Sequence, residues 1–261
     1  METTNFPSGR KVFYFFPTGT FHQHVVKEII QHEFEIYTLS DFKRGLPLIF
    51  QYNGGIILFY VDGLENYQHG LSVIRDFCRQ SSHRSIELFL LTGSAERVEK
   101  MERYMQEMDN CRALLLQEQP EETSIELIAL LNELNARGQR RYVRFGSNTD
   151  EIATIGIARK NRKLVGTVHD ISSAGLSFSL PEGPSFAVRS KIKEFSLNLD
   201  GEIGHLSGTI TIRRKLPSGL FLYVLMFEKG LAEETRNKLH TIIHGSLQRQ
   251  FTQRLESVAV P

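Results

Sequence analysis

The chain has 261 residues, of which 41% are apolar, and a formal net charge of +1. At about 100–200 residues per domain this length indicates two domains, and the ordinary apolar and charged fractions exclude a disordered or fibrous protein. No apolar run approaches the roughly 18 residues of a membrane span, and the first residues lack the basic and apolar regions of a secretory signal. The two cysteines form no C-x-x-C pair and predict no disulfide framework, so we expect a cytoplasmic protein.

The charge is distributed unevenly along the chain. Residues 1–136 carry 12 Lys and Arg against 19 Asp and Glu, a net charge of −7, whereas residues 137–261 carry 19 against 11, a net charge of +8. This change of sign predicts two domains, 1–136 and 137–261, and places any anionic ligand in the second.

The first half alternates between short apolar runs and segments of helical periodicity. The strands are expected at 11–17, 34–39, 56–61, 86–91 and 112–116, and the helices at 21–30, 41–50, 66–80, 95–108 and 121–134. Such alternation predicts a doubly wound α/β domain with helices on both faces of a parallel sheet. We expect His22 and His24 to lie at an exposed helix start.

Five units of this size resemble the response-regulator receiver domain, in which an aspartate after the third strand accepts a phosphoryl group. Asp62 ends the third predicted strand and Thr92 ends the fourth, as in that family. The sequence departs from the family at Pro17–Thr20, where an acidic pair would hold Mg²⁺, and at Gln117–Pro120, where a Lys-Pro pair would stand. Phosphoryl transfer needs that cation and positive charge. The resemblance therefore implies a degenerate receiver-like module for protein contacts, with Asp62 as a phosphoacceptor in the alternative.

The second half contains six short strand-like runs separated by turn residues. They are expected at 151–159, 164–171, 175–180, 192–199, 206–213 and 220–227, with a hairpin signal at Asp200-Gly201. This spacing predicts a six-stranded antiparallel barrel. Residues from about 232 to 255 carry an apolar stripe of helical period, which predicts a C-terminal helix that packs on the barrel, with dimerisation or membrane contact as alternatives.

Two motifs in this half resemble those of PilZ domains. Arg140–Arg144 fits the R-x-x-x-R motif and Asp170–Gly175 fits [DN]-x-S-x-x-G, in the order and strand context of that family. The resemblance implies a PilZ-type barrel that binds the bacterial second messenger cyclic di-GMP, hence a receptor and not an enzyme, with no further cofactor and no metal. Arg137 repeats the same spacing with Arg141, which leaves the register of the first motif ambiguous.

The arginines suit this ligand, which is a dianion with two guanines. A guanidinium group is a planar, permanently charged fork that matches a guanine edge or a phosphate group, and it can stack on a base. We therefore assign Arg140 and Arg144 to a clamp on opposite sides of the ligand, and Arg141 to an auxiliary contact with phosphate or a second ligand molecule.

The second motif supplies complementary polar groups. Asp170 can accept hydrogen bonds from a guanine N1–H and N2–H₂, and Ser172 can donate to a phosphate or guanine oxygen. Gly175 suits either a positive φ or a close approach of another backbone. The alternative is a local turn in which Asp170 and Ser172 hold their own loop without a ligand.

Two other functions compete with this interpretation. The basic second half, with Tyr142 and Phe145, could bind nucleic acid, and a PilZ-like barrel could also be a ligand-free protein-interaction module. The arginines are concentrated in one segment, which favours a compact dianion over a polymer. We expect cyclic di-GMP as the ligand, a protein partner for the first half, and motility or a related process as the output.

Overall fold

The computed structural model describes residues 9–52, 55–64, 67–81, 86–106, 108, 110–146, 153–159, 162–181, 186–199 and 202–258. The chain divides into two compact units, namely residues 1–141 with 247–261 (the first unit) and residues 142–246 (the barrel unit). Asn66, where the third helix was expected to begin, lies outside the described residues, as do Glu151 and the Asp200-Gly201 hairpin.

The sheet of the first unit has five parallel strands, which confirms the predicted doubly wound α/β class. They are β1 (Lys11–Phe15), β2 (Ile36–Leu39), β3 (Gly55–Tyr60), β4 (Ile86–Thr92) and β5 (Cys111–Leu115). Their order is β2-β1-β3-β4-β5, so that the winding reverses between β1 and β3. Ile56, Ile57 and Leu58 of the central strand are all 0% exposed, because helices cover both faces of a parallel sheet.

In the described part of the first unit, five helices alternate with these strands. They are α1 (Gly19–Gln31), α2 (Phe42–Ile49), α3 (Tyr67–Ser81), α4 (Ala95–Tyr104) and α5 (Pro120–Glu133). Val25 and Ile29 of α1 share one core with Leu127 and Leu131 of α5. The other core contains the apolar side chains of α2, α3 and α4. The two cores therefore lie on opposite faces of one sheet.

The last helix, α6 (Glu233–Ser257), contributes to both units, with the division after Ser246. Leu239 and Ile243 are buried within the barrel unit. The packing of this helix on the barrel, expected from its stripe, therefore applies only to its first part. From Leu247 onward the helix belongs to the first unit, where Phe251 is 2% exposed and joins the core that contains α2.

The end of α6 packs against the β1–β2 side of the sheet. The ring of Phe251 stacks on Tyr37 at 4.6 Å between centroids and lies 5.7 Å from Phe13. The side-chain amide of Gln248 donates to the carbonyl oxygen of Thr38 at 3.0 Å and accepts from its N–H at 2.9 Å. Since β2 is an edge strand, this pair of bonds occupies backbone groups that another strand could otherwise contact.

The described residues of the barrel unit form seven antiparallel strands. They are β6 (Arg144–Gly146), β7 (Thr154–Arg159), β8 (Arg162–Ser172), β9 (Gly175–Ser179), β10 (Lys191–Asn198), β11 (Glu202–Lys215) and β12 (Phe221–Phe227). Their order is β6-β8-β7-β10-β11-β12-β9, and pairing of β9 with β8 closes the six strands from β7 to β12 into a barrel. The predicted six-stranded barrel is confirmed, and the short strand β6 is an addition that pairs with β8.

Two further properties concern the described part of the chain. None of the helices in it is both long enough and apolar enough to cross a bilayer. Within the same residues, no group of three His, Cys, Asp or Glu side chains is placed to hold a metal ion.

Candidate functional site

The pairing of β6 with β8 brings the two sequence motifs together. Arg144 lies directly opposite Ser172, and Phe145 lies opposite Ile171. Phe145 and Ile171 are each 1% exposed and therefore face the barrel interior. Because side chains alternate along a strand, Arg144 and Ser172 lie on the outer face, where Arg144 is exposed.

Asp170 lies on the same outer face, two residues before Ser172. It is opposite Gly146 on β6 and opposite Ser177 on β9. The hydroxyl of Ser177 donates a hydrogen bond to Oδ2 of Asp170. This bond fixes the carboxylate on the surface of the barrel, and a carboxylate with about four acceptor positions can accept further donors.

Ser172 takes part in the turn between β8 and β9. Its hydroxyl donates to the carbonyl oxygen of Gly175 at 3.2 Å and accepts from the N–H of Ala174 at 3.3 Å. These contacts are those of a local turn. Such a turn was the alternative to ligand binding that the sequence allowed for Ser172.

Gly175 is required by a close approach of backbone. It lies opposite Met226, and a Cβ at this position would stand 2.3 Å from the carbonyl oxygen of Leu225. Gly175 is not among the described glycines with a positive φ. Of the two explanations offered by the sequence, close packing of β9 on β12 is the one that the structure supports.

The arginines before β6 differ in their surroundings. Arg137 donates to Oδ1 of Asn132 and lies 5.1 Å from the ring centre of Phe34, within the first unit. Arg140 and Arg141 are exposed and are the last two residues before the barrel unit. The contacts of Arg137 favour the register in which Arg140 and Arg144 form the R-x-x-x-R pair.

Two aromatic residues considered for nucleic-acid stacking are placed differently. Tyr142 is 41% exposed, whereas Phe145 is in the barrel core. The side chain of Phe145 therefore cannot stack on a base. Arg213, a late barrel residue, lies with its guanidinium carbon 3.9 Å from the ring centre of Phe221.

A polar cluster lies at the carboxyl ends of β3 and β4 in the first unit. Oδ1 of Asp62 accepts from the hydroxyl of Thr92 at 2.8 Å, and Oδ2 accepts from the N–H of Gly93 at 2.9 Å. The guanidinium of Arg97 also donates to Oδ1. The proximity of Asp62 and Thr92 agrees with the receiver-like pattern, whereas Arg97 belongs to no motif and was not foreseen.

These contacts set the protonation state of Asp62. Burial acts to raise the pKa of this carboxyl, but the hydrogen bonds from Gly93, Thr92 and Arg97 lower it, as does the charge of Arg97. The lowering prevails, so the pKa of Asp62 lies below its usual value. Asp62 is therefore a carboxylate in an ion pair, and its phosphorylation stays a prediction from the sequence.

His22 is buried in the same region, and its expected exposure at a helix start is wrong. It is 4% exposed, and its Nδ1 shares a hydrogen bond with the hydroxyl of Tyr14, a residue of the core strand β1. Burial lowers the pKa of His22, although Asp62 acts to raise it. This contact could not be predicted from the sequence, because Tyr14 lies in a run of mainly apolar residues that predicts only a buried strand.

Removing the partner of Asp62 gives a first testable result. In an Arg97→Ala variant we expect the pKa of Asp62 to rise, because a charge and a hydrogen bond are lost while burial persists. A lowered folded-state pKa contributes stability above the ordinary carboxyl pKa of about 3.9 and loses it as the pH falls through the folded value. Acid unfolding of the variant should therefore begin at a higher pH. Carboxyl NMR titration measures the shift.

A matched control for this titration is Arg103→Ala. Arg103 lies on the same helix and forms an exposed pair with Glu99 at 3.6 Å. This variant should leave the titration of Asp62 unchanged. An Asp62 pKa that is equal in all three proteins would contradict the assigned ion pair.

The chain was compared with known families, curated proteins and solved structures. The family model for the PilZ domain matches residues 138–245. Residues 138–245 are therefore a PilZ domain, and this agrees with the two motifs and the closed barrel. The comparison with curated proteins finds no match.

Several solved structures resemble part of the chain. The PilZ domain of YcgR from Escherichia coli, with c-di-GMP, shows 15% identity and a TM-score of 0.37 over 46% of this chain and 99% of that one. The inhibitor of motility MotI/DgrA from Bacillus subtilis shows 20% identity and a TM-score of 0.35 over 44% of this chain and 53% of that one. The MrkH–c-di-GMP complex of K. pneumonia shows 19% identity and a TM-score of 0.35 over 45% and 54%.

Proposed function

We propose that this protein is a receptor for cyclic di-GMP, which binds to the outer face of the barrel at β6, β8 and β9. The observation that carries the proposal is the ladder of the PilZ domain, in which Arg144, Ser172 and Gly175 are successive cross-strand neighbours. The two motifs are separated in the sequence, and strand pairing unites the residues that the PilZ resemblance assigns to the ligand.

The chemistry of this face suits one guanine and its phosphate. The exposed guanidinium of Arg144 can donate to the N7 and O6 acceptors of a guanine edge or to two phosphate oxygens. Asp170 offers a carboxylate on the same face, which can accept from guanine N1–H and N2–H₂ while keeping its bond from Ser177. The positive charge and the acceptor thus match the two polar edges of the same base.

Arg140 and Arg141 complete the proposed site. Both are exposed and precede Arg144 by only four and three residues, so the chain keeps them within about 14 Å of it even when extended. Arg140 and Arg144 clamp the ligand, and Arg141 makes the auxiliary contact with phosphate or with a second ligand molecule.

Ligand binding at this segment is coupled to the orientation of the two units. Arg140 and Arg141 are the last residues of the first unit before the barrel unit begins at Tyr142. A ligand that binds them therefore restricts the backbone segment that joins the two units. A preference of about 100-fold for one orientation corresponds to about 2.7 kcal/mol. The first unit then presents or withdraws a surface for a protein partner, with motility or a related process as the output.

Calorimetric titration of cyclic di-GMP tests the proposal. The parent protein should bind, and an Arg140→Ala/Arg144→Ala double variant should bind at least about 100-fold more weakly, because two charge-assisted contacts are lost. Arg137→Ala is the matched control, since Arg137 contacts the first unit, and it should bind like the parent. X-ray scattering of the same samples should change on addition of ligand if the units reorient.

The titration also separates the competing functions. Binding that is equally strong in the double variant would contradict the assigned site. Absence of binding to the parent would favour a ligand-free interaction module. A dianion site should weaken modestly with salt, whereas a nucleic-acid site that displaces many counterions weakens steeply.

A further inference from the structure

The hairpin formed by β11 and β12 extends beyond the strands on either side of it. The pairing of β12 with β9 ends at Leu222, opposite Ser179, and β10 pairs with β11 as far as Thr209. On β11 the partner of Leu222 is Arg214. At about 3.3 Å per residue, the turn that follows reaches up to about 10 Å past the end of β9. We call residues 211–222 the projecting hairpin.

Every charged residue of the projecting hairpin is a cation. Arg213, Arg214 and Lys215 are consecutive, and all three are exposed. Residues 211–222 contain no Asp or Glu, although residues 137–261 as a whole contain 11. A concentration of one sign of charge on a projecting part of the surface attracts an anionic partner.

The turn of the projecting hairpin is apolar, and backbone hydrogen bonds hold it. Residues 216–222 read Leu-Pro-Ser-Gly-Leu-Phe-Leu. The N–H of Leu216 donates to the carbonyl oxygen of Leu220 at 2.8 Å, and the N–H of Gly219 donates to that of Leu216 at 3.0 Å. Gly219 has a φ of 86°, which glycine adopts without strain. Pro217 is exposed at the tip, and the bulkier apolar residues of the turn are half-buried.

An apolar turn in front of three cations matches the layers of an anionic lipid bilayer. Each Lys or Arg near such a surface contributes roughly a five-fold gain in affinity through the lipid phosphates. Below the phosphates, the interfacial layer accepts apolar side chains to a depth of about 5–10 Å, which is comparable with the projection of the turn.

Nucleic acid offers similar phosphates but fits the hairpin less well. Binding of a single strand depends on aromatic rings on which bases stack. The guanidinium carbon of Arg213 lies 3.9 Å from the ring centre of Phe221 and thus covers a face of this ring. A phosphodiester backbone also has no apolar layer to receive the turn.

We propose that the projecting hairpin docks the protein on anionic lipid bilayers. Arg213, Arg214 and Lys215 bind lipid phosphates, and the turn enters the interfacial layer. Such docking is peripheral, in keeping with the described helices, of which none is long and apolar enough to cross a bilayer.

This docking does not depend on the proposed binding of cyclic di-GMP. Gly175, in the second motif, begins β9 and lies opposite Met226. Ser179 ends β9 and lies opposite Leu222, where the projecting hairpin starts to extend beyond β9. The two proposed sites are therefore at opposite ends of the same strand pair, and each can be tested without the other.

Co-sedimentation of the full chain with lipid vesicles tests the docking. The parent should bind vesicles of phosphatidylcholine with about 30% phosphatidylserine, and it should not bind pure phosphatidylcholine. Arg214→Ser/Lys215→Ser should bind the anionic vesicles about 30-fold more weakly, because two contributions of about five-fold are lost. Arg236→Ser/Lys238→Ser is the matched control, since it removes the same charge from exposed positions of α6, and it should bind like the parent.

A single tryptophan reports the depth of the turn, because the chain has none of its own. Ser218→Trp introduces the indole at the exposed tip of the projecting hairpin. Asn198→Trp introduces it at an exposed position opposite Glu202, where β11 begins at the other end of the barrel. On anionic vesicles the emission of the Ser218→Trp protein should move to shorter wavelength and be quenched by brominated lipids. The emission of the Asn198→Trp protein should stay as it is in water.

Each result supports or overturns the docking. A parent that stays in solution beside anionic vesicles overturns it, as does undiminished binding by Arg214→Ser/Lys215→Ser or an unchanged emission of the Ser218→Trp protein. Binding of a short DNA duplex in place of vesicles, lost in the same double variant, would assign the hairpin to nucleic acid. Calorimetric titration of cyclic di-GMP into this double variant should match the parent, so failure of the docking is distinguishable from failure of the proposed function.

Discussion

Replacing Phe251 by alanine is expected to destabilise the first unit by about 3–5 kcal/mol, the range for a buried phenylalanine. The ring is 2% exposed and lies within 6 Å of Phe13 and Tyr37, measured between ring centroids. Since α2 is only eight residues long and contains Pro47, the ring of Phe251 completes the cover of this side of the sheet. The variant would leave a cavity beside β1 and β2 where the ring packs on Phe13 and Tyr37.

Hydrogen exchange at the backbone amides of β1 and β2 measures this loss in the full chain. The free energy of opening at Phe13 and Tyr37 should fall by the same amount as the global stability of the first unit. Gln253→Ala is the matched control, because Gln253 is an exposed residue on the same turn of α6, and it should stay within about 0.5 kcal/mol of the parent. Equal protection in the parent and Phe251→Ala would contradict the packing of α6 on the first unit.

The role of α6 shows where periodicity stops being informative. The apolar stripe predicts that this helix is amphipathic, and the helix is present. The stripe does not specify which core receives it, because Leu239 and Phe251 are both apolar and differ only in the surface they meet. The contact of Gln248 with Thr38 joins residues 210 positions apart and has no local signature.

The candidate site was predictable to the extent that it follows from strand pairing. Alternation predicts that Asp170 and Ser172 share a face, and the register adds Arg144 to it. The exposure of Met226 and Ile212 on the outer face of the barrel was not foreseen, because strand pairing decides which side chains share a face. The role of Arg97 was not predicted either. Its contact with Asp62 arises because the ends of two strands lie side by side in the sheet.

Gly175 is a motif residue for which the sequence left two explanations open. The second motif indicates a glycine at this position without saying whether backbone torsion, ligand or packing demands it. A Cβ at Gly175 would stand 2.3 Å from the carbonyl oxygen of Leu225. A Cβ at Gly208 would stand 2.6 Å from the carbonyl oxygen of Met226. The strand β12 is thus crowded by backbone from both of its neighbours, β9 and β11.

Replacing Gly175 by alanine is therefore expected to destabilise the barrel unit by about 3 kcal/mol, the upper end of the range for overpacking. The atom that a Cβ meets is backbone, so no rotamer change relieves the contact, and β9 must move away from β12 or lose pairing. Gly146→Ala is the matched control, because its Cβ would meet only the carbonyl oxygen of His169 at an ordinary 3.8 Å. That variant should match the parent or gain slightly, because alanine restricts the unfolded chain.

Thermal unfolding and ligand titration together separate packing from recognition at this glycine. If Gly175 acts by packing, Gly175→Ala should unfold at a lower temperature with or without cyclic di-GMP, and it should bind the ligand with an affinity within a few-fold of the parent wherever the barrel remains folded. A variant with the stability of the parent and no binding would instead assign Gly175 to the ligand. A Cβ at Gly175 would stand 2.3 Å from the carbonyl oxygen of Leu225 whether or not a ligand is bound, and this favours the first result.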